Sequence, residues 1–221
     1  MGGLKVYTVI PVKSLAGGKR RLAGILGRKQ RETLTLCMLR DVLSTVLGCP
    51  KIEEAVVVSS DPEVLRLAGR LGAVALAEGG DHGVNEAVSR GIAYCVARGA
   101  SLLLILPADI PLLSSLDLET LASLGLKSSL VLTPSLRLDG TNALLLKPPE
   151  ILQTSYDADS FRSHLSAGRL RGLRVKVYLS GRVMLDLDLP EDLELFLRLE
   201  ASRNTETYRY ASEVLEAGVR V

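Results

Sequence analysis

Tryptophan is absent from this 221-residue chain and phenylalanine occurs only twice, so leucine and valine must fill whatever core it builds. Histidine also occurs only twice, at His82 and His164. Neither lies in a nucleophile–base motif, which argues against a serine- or cysteine-type hydrolase, and the default reading of His164 is a polar surface role. The three cysteines, Cys37, Cys49 and Cys95, lack metal-ligand spacing. Cys37 and Cys95 fall in apolar helical patterns, where a thiol acts as a small hydrophobe, and such thiols fit a reducing cytosol. No apolar run approaches the roughly 18 residues of a membrane span, and no signal-peptide-like stretch follows Met1. The expected setting is therefore cytoplasmic, with no membrane partner. A net charge of only +2 lacks the concentrated basic excess of a nucleic-acid binder. Repeats and low-complexity segments are missing too. The length suits one α/β domain over residues 1–221, with 205–221 a C-terminal helical tail. A homodimer in which that tail packs on a second copy is the expected assembly.

What is present is an alternation of β-like and helix-like segments. Val6–Ile10, Ala55–Val58 and Leu102–Leu106 are near-continuous apolar runs, as expected of parallel strands covered on both faces. Between the first two, Leu34, Met38, Val42 and Val46 recur every four residues and mark one helix face, which Gly48 and Pro50 end. Asp61-Pro62 opens a second helix, and a short strand follows at Ala73–Leu76. A helix then runs from Asn85, its expected N-cap, to Arg98, and another spans Leu116–Leu124. Leu130–Thr133 and Ala143–Leu146 read as strands around the turn Asp139-Gly140-Thr141-Asn142. A helix at Ser160–Ala167, strands at Val175–Leu179 and Val183–Leu187, and a helix opened by Pro190 complete the series. Residues 13–27 hold four glycines and read as a long loop. The alternation predicts an α/β fold, a mostly parallel sheet flanked by helices, with ligands bound at the carboxyl ends of strands. Pro11, Asp61 and Asp109 all fall at such ends.

Chemistry-bearing residues cluster there. Lys13, Lys19 and Arg21 lie on the glycine-containing loop after the first strand, where backbone N–H groups and cations can hold phosphates; a solvated basic loop is the bland alternative. The G-x-x-x-x-G-K-[ST] and G-x-G-x-x-G spacings are both absent. Asp109 is either a Mg²⁺ ligand or the cap of the turn at Ile110-Pro111. Asp186 and Asp188, two apart on an expected strand, point to one face, and two like charges there call for a cation. The competing roles are Asp188 capping the Pro190 helix and Asp186 pairing with an arginine. In the Asp81–Asn85 turn, Gly83 permits tight backbone and Asn85 can cap a helix or read a base edge. These clusters together suggest metal-dependent chemistry on a nucleoside triphosphate.

Assembled, the pieces resemble the 2-phospho-L-lactate guanylyltransferase family, including its phosphoenolpyruvate-using members, which act in biosynthesis of the deazaflavin coenzyme F-420. The matching pieces are Val9-Ile10-Pro11-Val12-Lys13, Leu15-Ala16 with Lys19 and Arg21-Leu22, Val58-Ser59-Ser60-Asp61, Gly83-Val84-Asn85 and Leu106-Pro107-Ala108-Asp109. Gly140-Thr141-Asn142-Ala143-Leu144, Ser160-Phe161 with His164, and Leu185 through Leu193 follow in the family's order. The resemblance implies a nucleotide-diphospho-sugar transferase fold of the glycosyltransferase-A-like type. It implies Mg²⁺ as cofactor at Asp109, Asp186 and Asp188, with GTP and a small phosphorylated hydroxy acid as partners. On this reading Pro11, Lys13, Lys19, Arg21, Ser60, Gly83 and Asn85 contact the nucleotide. Thr141, the backbone near Asp157, and Ser160 contact the acid, and Lys19, Arg21 and Asp109 are the catalytic groups. Three positions depart from the family: Asp157 stands for a usual glycine, Leu189 for a usual threonine, and Gly17-Gly18 loosens the phosphate loop. A nucleotide-sugar-dependent glycosyltransferase and a noncatalytic nucleotide-binding module are the alternatives.

Overall fold

The computed structural model describes residues 6–80 and 82–218. Seven strands, β1 (Val6–Pro11), β2 (Ile52–Ser59), β3 (Val74–Ala77), β4 (Leu102–Ile105), β5 (Leu130–Pro134), β6 (Thr141–Leu146) and β7 (Val175–Val177), form one sheet in the order β3-β2-β1-β4-β6-β5-β7. All neighbours are parallel except β6, which runs antiparallel to both β4 and β5. The mostly parallel sheet expected from the alternation is therefore present. Reversal of β6 has a functional consequence: its first residues, Thr141 and Asn142, lie at the same sheet edge as the carboxyl ends of β1, β4 and β5.

Alternation along each strand divides the core. One face of the sheet buries Val6, Ile10, Val57, Leu104 and Leu145 beneath α1 (Arg28–Gly48), α2 (Pro62–Leu71) and α4 (Ser115–Lys127). The other buries Val9, Val58, Leu103 and Leu144 beneath α3 (Val84–Ala97) and α5 (Ser160–Leu170). A Cβ on Gly91 of α3 would meet Val9 Cγ1 at 2.5 Å, and one on Gly168 of α5 would meet Leu130 Cδ2 at 2.5 Å. Glycine at these two positions sets how closely both helices approach the sheet.

Three segments differ from the reading of the sequence. Val183–Leu187 is not a strand: α6 (Gly181–Met184) precedes an extended segment at 185–188. Isolated bonds stand where a ladder was expected: the carbonyls of Val183 and Met184 accept from Asn142 Nδ2 at 3.0 and 3.1 Å, that of Met184 also accepts the Leu136 N–H at 2.9 Å, and the Leu187 N–H donates to the Asp109 carbonyl at 3.0 Å. Asn85 is not the N-cap of α3; Gly83, at φ +89°, holds that place. Residues 13–27 contain two 3₁₀ turns, Leu15–Gly17 and Arg20–Leu22, pinned by the buried side chains of Leu15, Leu22 and Leu26. Asp81 of the Glu78–Gly83 turn, Met1–Lys5, and residues 219–221 of the expected tail lie outside the described residues.

The C-terminal third wraps back onto α1. Phe196 and Leu193 of α7 (Pro190–Arg198) bury against Leu34 and Met38, and α8 (Glu206–Gly218) joins the same cluster through Ala211. Asp41 of α1 accepts the N–H groups of Glu206 and Thr207 at 2.9 Å each, capping α8 from outside. The segment expected to lie on a second copy thus packs on its own chain. Among the described residues no helix is long and apolar enough to cross a membrane.

Candidate active site

The loop after β1 carries Lys19 inward. Lys19 sits in the left-handed region at φ 50°, ψ 39°, opening the second 3₁₀ turn. Its Nζ lies 2.5 Å from Asp109 Oδ2 and 2.6 Å from Asp188 Oδ1, with only 8% of the side chain exposed. Burial alone would lower the pKa of Lys19; the two carboxylates outweigh it and push it up to about 12. The loop is tied from below by Asp61, whose Oδ2 accepts the Leu15 N–H at 3.0 Å while its Oδ1 caps α2 at Glu63. Arg21 and Lys13 are exposed. Arg21 is near enough to Asp188 to favour its charged form.

Asp109 follows β4 and Pro107-Ala108. Its carbonyl accepts the Leu187 N–H at 3.0 Å, which fixes the 185–188 segment beside it. Asp109 Oδ1 is buried without a hydrogen-bond partner. Asp186 is pushed up to about 6, first by burial and then by the nearby charge of Asp109, against the opposing hydrogen bond from Asn142 at 3.0 Å. Asp188 is also burdened by burial, yet Lys19 holds its carboxyl below the usual range. The two aspartates two residues apart therefore have opposite electrostatics. Asp188 has its cation. Asp186 has Arg137 Nη2 at 3.6 Å and otherwise faces like charge.

Those contacts identify residues that sequence reasoning missed. Arg137, in the β5–β6 turn, makes two hydrogen bonds to Asp192 at 2.7 and 3.2 Å. Asp192 in turn accepts the N–H groups of Asp188 and Leu189 at 3.1 and 2.8 Å. An acid in the third position of a helix begun by proline was the available signal, and it explains how Leu189 stands where a capping threonine is usual. Asp188 does not cap α7. Asp117, fully buried at the start of α4, accepts from Tyr178, Ser180 and Arg182 and so anchors the chain leading to Asp186.

A second group of side chains sits across β6. Thr141 and Asn142 are adjacent on the strand and point to opposite faces, Asn142 toward Asp186 and Thr141 toward α5. Thr141 Oγ1 lies 3.0 Å from His164 Nδ1 and 3.2 Å from Ser160 Oγ. His164 is 1% exposed, so the expected surface role is wrong. It lies inside because Gly168, one turn on, lets α5 settle against β5. Its Nε2 accepts the Ser155 N–H at 2.9 Å, and burial pushes its pKa down to about 4. Asn85 Oδ1 accepts the Tyr156 N–H at 2.7 Å, so Asn85 braces the 153–159 loop. The exposed carboxylate of Asp157 turns to Asn85 Nδ2, 3.4 Å from each oxygen, and to Ser155 Oγ at 3.3 Å. Pro11 and Gly83 line one small cleft with Lys13, while Ser60 stands at the end of β2.

Such a group of carboxylates at the carboxyl ends of a 3-2-1-4-6-5-7 sheet belongs to a protein of the nucleotide-diphospho-sugar transferase fold. A structure from Desulfovibrio desulfuricans G20 assigned to those transferases superposes with a TM-score of 0.78 at 16% identity, covering 97% of this chain and 96% of that one. A cytidylyltransferase from Leptospira borgpetersenii does so with a TM-score of 0.60 at 15% identity, covering 98% and 94%. Residues 6–215 match the family described as guanylyl transferase CofC like, and the chain belongs to it. The phosphoenolpyruvate guanylyltransferase of Rubrobacter xylanophilus is 43% identical over 200 residues, 90% of this chain and 95% of that protein. The 2-phospho-L-lactate guanylyltransferase of Methanocaldococcus jannaschii is 33% identical over 197 residues, 88% and 84% respectively.

Proposed function

We propose that the chain transfers GMP from GTP to a small phospho-acid, 2-phospho-L-lactate or phosphoenolpyruvate, with release of pyrophosphate, in a Mg²⁺-dependent step of coenzyme F-420 biosynthesis. The names of its relatives supply the substrate class. One observation in the chain itself carries the reading. β6 presents Asn142, which holds Asp186, and Thr141, which meets Ser160, on consecutive residues, so hydroxyls suited to an anion and carboxylates suited to a cation reach the same sheet edge from opposite faces of one strand.

In the reaction an oxygen of the acid's phosphate attacks the α-phosphorus of GTP. The new P–O bond forms as the bond from that phosphorus to the bridging oxygen breaks, and the electron pair leaves with pyrophosphate. A phosphate is largely ionised at neutral pH, so no side chain need remove a proton. What remains is positioning several anions and neutralising their charge. Thr141 holds the acid through its hydroxyl with Ser160 behind it, and Lys19 and Arg21 face the triphosphate. Asp157, turned aside to Asn85 and Ser155, leaves backbone for the acid in place of its carboxylate.

Among the described residues, no three His, Cys, Asp or Glu side chains form a ready-made metal cage. Mg²⁺ takes only one or two protein carboxylates beside substrate oxygens, and the donors here are all hard carboxylate oxygens. The unpartnered Asp109 Oδ1 and the repelled Asp186 carboxylate fit such a cation, with Asp188 as a further ligand once Lys19 turns to phosphate. When bound, Mg²⁺ supplies Lewis-acid stabilisation of phosphate oxygens. The three free thiols suit the reducing cytoplasm we propose for the enzyme.

Pyrophosphate release measured with GTP, ATP, CTP and UTP against 2-phospho-L-lactate, phosphoenolpyruvate and 3-phosphoglycerate tests the proposal. GTP with one of the first two acids is expected to give the highest kcat/KM. Release of nucleoside diphosphate from a nucleotide sugar, with none of pyrophosphate, would overturn it.

A further inference from the structure

We infer that His164 is a positioning residue that fixes the direction of the Thr141 hydroxyl, leaving the Thr141 proton for an anionic oxygen of the small acid. The inference rests on the assignment of Thr141 to the acid half of the site. It follows from counting donors and acceptors. A backbone N–H can only donate, so the 2.9 Å contact from Ser155 makes Nε2 of His164 an acceptor with a free lone pair. A neutral imidazole with its lone pair on Nε2 carries its proton on Nδ1. The side chain is buried and its pKa is pushed well below neutrality, so the neutral form is the one present. Nδ1–H therefore donates to Thr141 Oγ1 across 3.0 Å.

Ser160 Oγ donates to the same oxygen at 3.2 Å. A hydroxyl has two acceptor sites and one proton. Both acceptor sites of Thr141 are filled from inside the protein, and its single proton is left over. The device makes a hydroxyl, which could equally accept, into a committed donor. That suits a phosphate or carboxylate oxygen, which has no proton to give.

Steady-state kinetics of His164→Leu, His164→Asn, Thr141→Val and the double variant Thr141→Val/His164→Leu test this with GTP and both acids. Asn keeps an amide donor near the place of Nδ1; Leu removes it. His164→Leu should raise the KM for the acid about tenfold, with kcat and the KM for GTP within about twofold of wild type. His164→Asn should recover most of the loss. In the Thr141→Val background the Leu substitution should cost nothing further, because the hydroxyl it directs is gone. Additive losses in the double variant, or equal rises in both KM values, would make His164 a brace and overturn the inference. Should His164→Leu not fold, ¹⁵N NMR of the wild-type imidazole decides: a proton on Nδ1 supports the inference and one on Nε2 overturns it. A wild-type protein that releases no pyrophosphate with either acid overturns the functional reading, and this inference with it.

Discussion

Lys19 Nζ stands 2.5 Å from Oδ2 of Asp109, 90 residues further along the chain, and the pair is nearly sealed from water on the lysine side. A buried cation between two carboxylates offsets part of their charge, so removing it leaves more uncompensated charge in a poorly solvated place. Arg21, two residues on, is exposed and bears no such structural load. Lys19→Ala is therefore expected to lower both Tm and turnover, whereas Arg21→Ala lowers turnover with GTP and leaves Tm within about a degree or two. Thermal melting and kinetics of the two variants check this; equal Tm losses would contradict it.

Asp186 and Asp188 should respond oppositely to amide substitution. Asp186 is burdened by burial and by Asp109, so Asp186→Asn is expected to leave Tm unchanged or higher while reducing kcat by orders of magnitude. Asp188→Asn loses the Lys19 ion pair, so its Tm should fall along with activity. Melting curves at neutral pH with and without Mg²⁺ separate the two. Activity within a fewfold of wild type in both would show the pair to be structural.

Thr141→Val removes one hydroxyl at nearly constant shape. A hydrogen bond to a charged group is worth about 1.5–3 kcal/mol, so the KM for the phospho-acid should rise roughly ten- to a hundredfold with that for GTP unchanged. Loss of GTP binding with acid affinity kept would place Thr141 in the nucleotide half.

His164 also predicts how stability depends on pH. Its pKa falls from 6.5 in the unfolded chain to about 4 in the folded one, so between those values the unfolded state binds more protons. The stability it confers is complete above about pH 6.5 and is lost as pH falls toward 4, up to about 3 kcal/mol in all. Denaturant unfolding of wild type and His164→Asn across this window should show a shallower slope for the variant. Parallel slopes would mean that His164 titrates normally.

Much was legible without coordinates because burial on both faces writes itself locally. The runs at Val6–Ile10, Ala55–Val58 and Leu102–Leu106 could only be central strands, and the aspartate after the last could only lie at their carboxyl edge. The quoted motifs sufficed for the family. Side-chain partnerships were not legible, since they join residues far apart in sequence and depend on angles that pattern does not encode. Asp186 and Asp188 look equivalent in the sequence, and only the approach of Lys19 to one of them gives the two opposite electrostatics. His164 looked like a polar residue on a short helix, and the close approach of α5 to β5 that Gly168 permits buries it against Thr141. The segment 183–187 has the composition of a strand, but its polar groups are met by scattered bonds with Asn142, Leu136 and Asp109, and no ladder forms. Strands and their edges follow from local burial, which neighbouring residues record; the polarity of each site group follows from what folding brings within about 3 Å of it, which they do not.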